Sequence, residues 1–191
     1  MNQTELIVQL QQGDNQAFKR LVDEWQDMVY NTALGIVQKE EDADDITQDV
    51  FIQVYQSVSS FKGESKFSTW LYRIVISKAL DHVKKKKRKK RFAFVQSIFG
   101  NYAEEDIYPE EFNHPGVLME NKERAAELFK AMQQLPDNQR IAFTLHKLEA
   151  QKHQDIAAIM NLSVTATESL IARAKGNLRK TLKQYYEENN F

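Results

Sequence analysis

Apolar residues recur at intervals of three or four along most of the chain, a spacing that predicts helices rather than strands. The longest such stretch, Phe67 to Arg91, contains no Gly or Pro. In its first half Leu71, Ile74 and Val75 fall on one face, so this half is expected to pack in a core. Its last eight residues, 84–91, are all Lys or Arg. The sequence therefore predicts one long helix that is apolar at its start and cationic at its end.

Similar apolar stripes predict three helices before it. A short helix ends at Gly13, and Asp14 is available to cap a longer helix that continues to about Gln38. A third helix is predicted over 40–57, and its acidic first turn suits the positive end of a helix. A cationic loop over 59–66 then leads into the long helix.

The C-terminal part also has a helical pattern, which ends in a helix-turn-helix. Residues 119–134 are predicted to be helical, and a new helix starts after Leu135-Pro136 with Asp137 as its cap. A helix over 155–160, a turn of three residues and a final helix to about Tyr186 follow. So short a turn is typical of DNA-binding motifs whose second helix faces the major groove, although such helix pairs also occur as simple packing.

Thr165 and Glu168 have the spacing of a capping box, Thr-x-x-Glu, at the start of this second helix. Glu168 could instead accept a hydrogen bond from a cytosine amino group. The cap is the favoured interpretation, because Thr165 lies at the required spacing.

The helical pattern fails from residue 92 to residue 118. Gly and Pro interrupt this segment, which holds five acids and no Lys or Arg, as is typical of a linker. Large apolar side chains such as Phe99 and Tyr102 favour ordering on a partner. The predicted fold class is all-α, with two small helical domains over 1–91 and 119–191 joined by a flexible acidic linker over 92–118.

Composition narrows the class of protein further. The 191 residues include no cysteine, which excludes disulfides, thiolate zinc sites and cysteine nucleophiles. The first residues do not resemble a signal peptide, and no apolar stretch is long enough to span a membrane, so we expect a cytoplasmic protein without membrane insertion. No Gly-rich phosphate loop, His-Glu-x-x-His or Gly-x-Ser-x-Gly is present. We therefore expect neither an enzyme nor a metal or cofactor site.

Charge is strongly separated along the chain, although the formal net charge is only -1. The net charge is -8 over 1–61, +10 over 62–91, -5 over 92–118 and +2 over 119–191. The cationic run over 84–91 contains no acid, so we expect it to need an external polyanion.

Aromatic residues precede this cationic run. Phe67, Trp70 and Tyr72 could stack unpaired bases while the cations follow a phosphate backbone, which is typical of single-stranded DNA binding. A solvated charge run or a localisation tag is the alternative for the cations, and a place in the core is the alternative for Trp70.

The helix over 40–57 carries acids together with apolar side chains outside its inner stripe. A solvated acidic face explains its first turn but does not explain Ile52 and Tyr55. Acids interleaved with exposed apolar groups favour a surface that docks on another protein.

Together these stretches resemble the extracytoplasmic-function (ECF) sigma factors of bacterial RNA polymerase. Residues 42–51, DADDITQDVF, are similar to the region 2 helix that docks on polymerase. Residues 67–74, FSTWLYRI, are similar to the family's motif at the helix that opens and reads the minus-ten promoter element. Region 4 of the family reads the minus-thirty-five element. Its start is similar to Leu135-Pro136 with Arg140 and Phe143, followed by residues 155–157.

The resemblance implies a sigma factor that binds core polymerase and directs promoter recognition and transcription initiation. The implied polymerase contacts are Asp42, Asp45, Gln48, Asp49, Ile52 and Tyr55. The implied minus-ten contacts are Lys62, Lys66, Phe67, Ser68, Thr69, Trp70, Tyr72, Arg73, Ser77, Lys84, Lys85 and Arg88. The implied minus-thirty-five contacts are Arg140, Ser163, Thr165, Ala166, Thr167, Ser169, Arg173 and Lys175.

The same resemblance implies the partners. They are core RNA polymerase, promoter DNA as duplex and as melted single strand, and an anti-sigma factor; the free protein is expected to be a monomer without a cofactor. The acidic linker would lie in the RNA path of the polymerase, and the loop over 60–66 would hold a flipped minus-ten base.

The chain departs from the family pattern at several positions. Ser77 stands where the family often has Asn, and Ala150 and Lys152 replace the usual Gly and capping Ser before the helix-turn-helix. A rival interpretation is a polymerase-independent helix-turn-helix regulator. It explains 119–191 but leaves the FSTWLYRI segment and the acidic helix without a role, and a helical adaptor with a localisation tag explains only the charge run.

Overall fold

The computed structural model describes residues 3–98 and 122–188, and within these ranges the protein is built from helices, as predicted. The N-terminal domain consists of α1 (Gln3–Gln11), α2 (Asn15–Val37), α3 (Glu40–Ser57) and α4 (Phe67–Ile98), with a 3-10 turn at Val58–Ser60. The C-terminal domain consists of α5 (Lys122–Gln133), α6 (Asp137–Phe143), α7 (His153–Met160) and α8 (Val164–Glu188), with a π-helical turn at Thr144–Leu148. Among these residues no helix is both long and apolar enough to cross a membrane.

Helix α2 lies at the centre of the N-terminal domain and packs against both α3 and α4. It begins where the sequence predicts, because the Asp14 carboxylate accepts hydrogen bonds from the backbone N–H groups of Gln16 at 2.7 Å and Ala17 at 3.2 Å. It ends at Gln38, whose φ of 61° lies in the left-handed region. Helix α3 also has its predicted bounds.

Helix α4 is longer than predicted. Its expected end at Arg91 is wrong, since the helix continues to Ile98 and takes up the first seven residues of the expected linker. Gly100 is the first helix breaker after Phe67, so nothing in the intervening sequence ends the helix. The rest of the predicted linker, 99–118, lies outside the described residues.

The helix-turn-helix is formed by α7 and α8, as the sequence predicts. Asn161, with a φ of 54°, ends α7. The predicted capping box is wrong, because α8 begins at Val164 and the Ser163 hydroxyl accepts a hydrogen bond at 3.1 Å from the backbone N–H of Ala166. Asp137 is likewise the first residue of α6 and not its cap.

The two domains pack directly against each other. Buried side chains from both domains share one apolar cluster, which includes Leu34 and Val75 from the N-terminal domain and Ile141, Leu145 and Ile156 from the C-terminal domain. A second cluster, which includes Met132 and Leu178, lies within the C-terminal domain. Helix α2 packs against α6 and the Thr144–Leu148 turn, and α4 packs against α7. The surfaces predicted from the sequence are therefore arranged around a shared core.

Candidate polymerase and nucleic-acid surfaces

The outer face of α3 combines acids with exposed apolar side chains, as expected. The helix buries Ile46, Val50 and Val54 and turns Asp45, Gln48 and Asp49 to the surface. Ile52 and Tyr55 are 55% and 56% exposed. The Phe18 ring meets the Tyr55 ring edge to face at 5.2 Å, which holds the tyrosine in place. We call Asp45, Gln48, Asp49, Ile52 and Tyr55 the α3 face.

Asp42 differs from these residues because it has partners within the protein. Its carboxylate accepts a hydrogen bond from Lys86 Nζ at 2.7 Å and lies 3.3 Å from His82 Nε2. Both partners belong to α4. Asp42 therefore ties α3 to α4, and little of its side chain is left for a binding partner.

Aromatic residues at the start of α4 form a cluster. The Phe67 ring contacts the rings of Trp25, Phe61 and Trp70 at centroid distances of 6.1, 5.5 and 5.4 Å. Phe67 is 3% exposed, whereas Trp70 is partly buried against Phe61 and Phe67. The cluster is therefore mostly core, with Trp70 at its edge.

Three residues of the implied minus-ten set are buried. Phe67, Thr69 and Tyr72 are 3%, 4% and 4% exposed. As direct DNA contacts these assignments do not hold in this structure, because the face of α4 that carries them packs inside the protein.

The remaining members of that set form a cationic track along the loop and α4. Lys62, Lys66, Arg73, Ser77, Lys84, Lys85 and Arg88 are exposed, and Ser68 is half-buried. Gly63, with a φ of 74°, turns the loop between the two lysines. Farther along, Lys84, Lys85, Arg88 and Arg91 line an open groove together with Asp81. This track is suited to following phosphates.

The cationic run is partly neutralised by the fold itself. Lys86 pairs with Asp42, and Lys87 Nζ lies 3.3 Å from the Asp137 carboxylate of the C-terminal domain. The expectation that the whole run needs an external polyanion is therefore wrong for these two lysines, whose counter-charges come from residues distant in the sequence.

The exposed side of α8 carries most of the implied minus-thirty-five residues. Ser163, Thr165, Ser169, Arg173 and Lys175 are exposed, and Ala166 is half-buried. Two residues of this set are not on the surface. Thr167 is 0% exposed and donates to the Ser163 carbonyl at 3.0 Å, while Arg140 is 6% exposed and donates to Asp137 at 2.8 Å. Both have structural contacts in place of a DNA-facing position.

Glu168 does not close the predicted capping box, and its contact with a cytosine stays a prediction. Its carboxylate lies 3.4 Å from Nδ1 of His153, the first residue of α7, and its side chain is 53% exposed. The His146 ring in turn lies 5.0 Å from the His153 ring. Burial, together with the nearby Lys175 charge, lowers the pKa of His146. Glu168 therefore joins the two helices of the helix-turn-helix.

A polar seam joins the domains at the FSTWLYRI segment. The Tyr72 hydroxyl donates to Glu149 at 3.1 Å and accepts from Gln151 Nε2 at 3.2 Å. Lys66 Nζ lies 2.7 Å from the Asp155 carboxylate, and Arg73 donates to the Ala158 carbonyl at 2.7 Å. We call these contacts the interdomain seam.

Burial changes the ionisation of the groups at the centre of this seam. It raises the pKa of the Glu149 carboxyl to about 7. It also raises the pKa of Tyr72, helped by the Glu149 charge. Sequence reasoning missed the contacts of Glu149, Gln151 and Asp155, because each lies 77 to 89 residues from its partner and no local spacing indicates such a contact. The described residues hold no cluster of three or more metal-ligating side chains.

Comparison with known proteins points to one family. The sequence family described as Sigma-70 region 2 matches residues 21–89, and the one described as Sigma-70, region 4 matches residues 125–178. The RNA polymerase sigma-H factor of Pseudomonas aeruginosa is 32% identical over 184 residues, which cover 96% of this chain and 95% of that protein. The ECF RNA polymerase sigma-E factor of Escherichia coli (strain K12) is 33% identical over 170 residues, covering 89% and 88%.

Solved structures show the same fold. The structure of CnrH in complex with the cytosolic domain of CnrY matches with a TM-score of 0.67 at 23% identity, covering 94% of this chain and 96% of that one. The sigma factor RpoE in complex with the anti-sigma factor NepR from Bartonella quintana matches with a TM-score of 0.62 at 23% identity, covering 87% and 96%.

Proposed function

The chain belongs to the ECF sigma factors of RNA polymerase and directs promoter recognition, and from this premise we propose that three of its surfaces divide the task. The α3 face binds core polymerase, the cationic track of α4 and its preceding loop binds the minus-ten region, and the exposed side of α8 binds the minus-thirty-five region. The observation that carries this division is that the three surfaces lie on different helices and differ in chemistry: acidic and apolar, cationic, and mixed polar.

The α3 face is proposed as the polymerase contact because exposed apolar groups there lie among acids. Burying Ile52 and Tyr55 would remove apolar surface from water, and Asp45 and Asp49 would select a basic partner. Asp42 is left out of the direct contact, because Lys86 and His82 already occupy its carboxylate.

The minus-ten surface is proposed to consist of the exposed or half-exposed residues only. Lys62, Lys66, Arg73, Lys84, Lys85 and Arg88 would meet phosphates, and Ser68, Trp70 and Ser77 would lie near the bases. The ring of Trp70 at the edge of the aromatic cluster is available to an unstacked base, and such stacking contributes about 1–3 kcal/mol.

The minus-thirty-five surface is proposed to be Ser163, Thr165, Ala166, Ser169, Arg173 and Lys175. Short hydroxyl and methyl groups near the start of α8 allow the helix to approach base edges, and the two cations farther along reach phosphates.

Other features of the proposal follow from the family. Since RNA polymerase works on the chromosome, the protein would act in the bacterial cytoplasm, as a monomer until it meets polymerase or an anti-sigma factor. Two of the solved relatives are complexes of a sigma factor or a similarly folded chain with a second protein. The family is one of transcription-initiation factors, so we propose no catalytic role.

Run-off transcription tests the proposal. Purified chain is added to core polymerase on a library of templates with randomised promoter elements, and we expect transcripts that require both proteins and share two elements. A polymerase-independent regulator would instead bind duplex DNA alone and give no transcripts. That result would contradict the proposed division of surfaces and favour the rival.

A further inference from the structure

Glu168 is an acid on a helix that is proposed to bind DNA. It is the fifth residue of α8, and its side chain is 53% exposed. Among residues 163–170 it is the one charged side chain. Phosphates would repel its carboxylate, so a favourable contact between Glu168 and DNA must be made to a base.

The short polar side chains around Glu168 are engaged with the backbone of their own helix. The Ser163 hydroxyl accepts a hydrogen bond from the Ala166 N–H at 3.1 Å. The hydroxyls of Thr167 and Ser169 donate to backbone carbonyls four residues earlier, at 3.0 and 2.9 Å. Glu168 is longer than any of these residues and extends farther from the helix axis. It is therefore the polar side chain in the first two turns of α8 that is best able to reach a base edge.

His153 restrains the carboxylate of Glu168. Its Nδ1 atom lies 3.4 Å from Glu168 Oε1, and the His146 ring packs behind it with the ring centroids 5.0 Å apart. His153 is the first residue of α7, and in a helix-turn-helix the first helix crosses the DNA backbone. The contact involves one carboxylate oxygen, so Glu168 keeps acceptor capacity for a group on DNA.

The surroundings of Glu168 on α8 allow a close approach to the major groove. Thr165 and Ala172, one helical turn before and after it, are both exposed and short. Arg173 and Lys175 are exposed farther along the helix, and their charges offset the repulsion between the acid and the phosphates. The carboxylate can therefore enter the groove without loss of the overall attraction to DNA.

The chemistry of a carboxylate restricts the base that it can bind. An ionised carboxylate only accepts hydrogen bonds. In the major groove guanine presents the acceptors N7 and O6, and thymine presents the acceptor O4, all of which would repel it. Adenine presents its N6 amino group beside the acceptor N7, whereas cytosine presents its N4 amino group alone. A single carboxylate therefore selects cytosine.

We propose that Glu168 is a specificity-determining residue, whose carboxylate accepts a hydrogen bond from the N4 amino group of one cytosine in the minus-thirty-five element. His153 is a positioning residue that holds the carboxylate in place for this contact. The inference rests on the proposed binding of the minus-thirty-five element by α8. It adds to that surface a residue that distinguishes one base from the others.

The test selects promoters by run-off transcription with the full chain and core polymerase, from a library in which the upstream element is randomised. For the parent we expect one position of the element to favour a C·G pair roughly five- to a hundredfold over other pairs. Glu168→Gln should move the preference at that position alone to A·T, because an amide can pair with both N6 and N7 of adenine. Glu168→Ala should remove the preference there.

Glu187→Gln is the matched control. Glu187 is also an exposed acid of α8 with one basic neighbour, Lys183 at 3.3 Å, and it lies about five turns beyond Glu168. Both Gln substitutions remove one negative charge, but the control should leave the preferred base unchanged at every position. Circular-dichroism melts show that each variant is folded. The role of Glu168 is overturned if the parent, Glu168→Gln and Glu168→Ala all prefer the same bases to the same degree.

The positioning role of His153 has its own measurement. His153→Ala should lower the preference for the C·G pair several-fold without changing which pair is preferred. A contact that only stabilises the fold would lower transcription from all promoters alike and leave the ratio between them unchanged. An unchanged ratio in His153→Ala therefore overturns the positioning role.

Failure of the proposed minus-thirty-five surface has a different signature. Replacing Arg173 and Lys175 together by Gln should weaken dependence on the upstream element at all of its positions. If the parent selects no upstream element, or if this double variant depends on it as strongly as the parent does, α8 is not the minus-thirty-five surface. A selected element that is insensitive to both Glu168 variants overturns the role of Glu168 alone.

Discussion

Glu149 is a carboxyl group held between two domains, and its protonation is linked to their separation. Burial raises its pKa to about 7, whereas in an open molecule water would restore the ordinary value near 4.5. A raised pKa means that the molecule with packed domains, the closed form, binds the proton more tightly. Its contribution to closure is therefore fully present below about pH 4.5 and is lost as the pH rises through about 7.

We expect the fraction of molecules with packed domains to fall as the pH is raised from about 5 to 8, measured as the distance between spin labels on cysteines introduced at Lys19 and Lys180, which are exposed on different domains. Glu149→Gln should remove most of this dependence, since the amide still accepts from Tyr72 but has no proton to lose. His146, whose pKa is lowered by burial and by Lys175, acts in the opposite direction and is present in both proteins. Equal pH profiles for the parent and Glu149→Gln would exclude the link to this residue.

Ser163 is the residue whose replacement should weaken the recognition helix. Its hydroxyl accepts from the Ala166 N–H at 3.1 Å, and loss of such a cap costs about 1 kcal/mol. In a chain of this size Ser163→Ala should lower the melting temperature by roughly 2–4 °C. Thr165→Ala, the control, should change it by much less. A larger effect of Thr165→Ala would restore the capping box to Thr165.

At the residue scale, the sequence predicted features that depend on near neighbours. The cap at Asp14 and the outward position of Ile52 and Tyr55 were both predicted correctly. The cap depends on N–H groups two and three residues later, and helical periodicity alone determines which side of a helix faces the core. The burial of Arg140 was not predicted, and Tyr72 was assigned to DNA although it lies beside the apolar stripe of α4. Tyr72 is covered by residues 77 and 79 positions later in the chain, and Arg140 is turned inward by Asp137 and the Gln133 carbonyl.

At the scale of the helix, α3 offers a direct test of polymerase binding. Replacing Asp45 and Asp49 by Lys reverses the charge of the α3 face without touching its buried stripe. We expect affinity for core polymerase to fall roughly tenfold or more, with the helical circular-dichroism signal unchanged. The matched control replaces Asp23 and Asp27, exposed acids four residues apart on α2, by Lys. Equal loss in both variants would mean that only net charge matters.

Helix α4 should show a division between free and paired cations. Lys85 and Arg88 are exposed in the open groove, whereas Lys86 is bound to Asp42. Replacing Lys85 and Arg88 by Gln should reduce the slope of log affinity against log salt by about 1.5 for holoenzyme on promoter DNA, if each meets one phosphate. Lys86→Gln should change the slope much less. An effect of Lys86→Gln as large as that of one free cation would show that its pair with Asp42 opens on DNA.

The elements themselves were largely predictable. Helix α3 has its predicted bounds because Lys39 and the 3-10 turn at 58–60 enclose a stretch without breakers. The end of α4 was misplaced because a change in composition, from basic to aromatic, was taken for a change in structure. Helix formation depends on breakers, and the first of these is Gly100.

The whole molecule should open when it meets its enzyme. With spin labels on cysteines introduced at the exposed Lys19 and Lys180, addition of core polymerase should lengthen and broaden the distance distribution in the parent. The same is expected of Gly35→Ala, in which the new methyl group overlaps Thr144 of the C-terminal domain. Binding should be tighter for Gly35→Ala, because less free energy is spent on separating the domains. A transcribing holoenzyme that keeps the distance distribution of the free protein would contradict the need for separation.

The arrangement of the domains could not have been predicted from the sequence. The family motifs indicate what each domain binds, but the contacts between Gly35 and Thr144, or between Lys66 and Asp155, join residues 109 and 89 positions apart. Nothing in their local sequence marks them. Gly35 lies within the helical pattern of α2. It matters because it has no side chain, and only the structure shows that a Cβ there would overlap Thr144.

The ion pairs that hold cations of α4 and its preceding loop within the protein have a consequence for how the protein searches a cell. A chromosome offers about a million or more nonspecific sites, and a free basic helix would spend most of its time on them. Lys66, Lys86 and Lys87 are paired with carboxylates at the surface, and Arg73 with backbone carbonyls, which lowers that attraction. The factor is then left in solution, where its acidic helix encounters the polymerase first, and the cations are delivered to DNA as part of the enzyme.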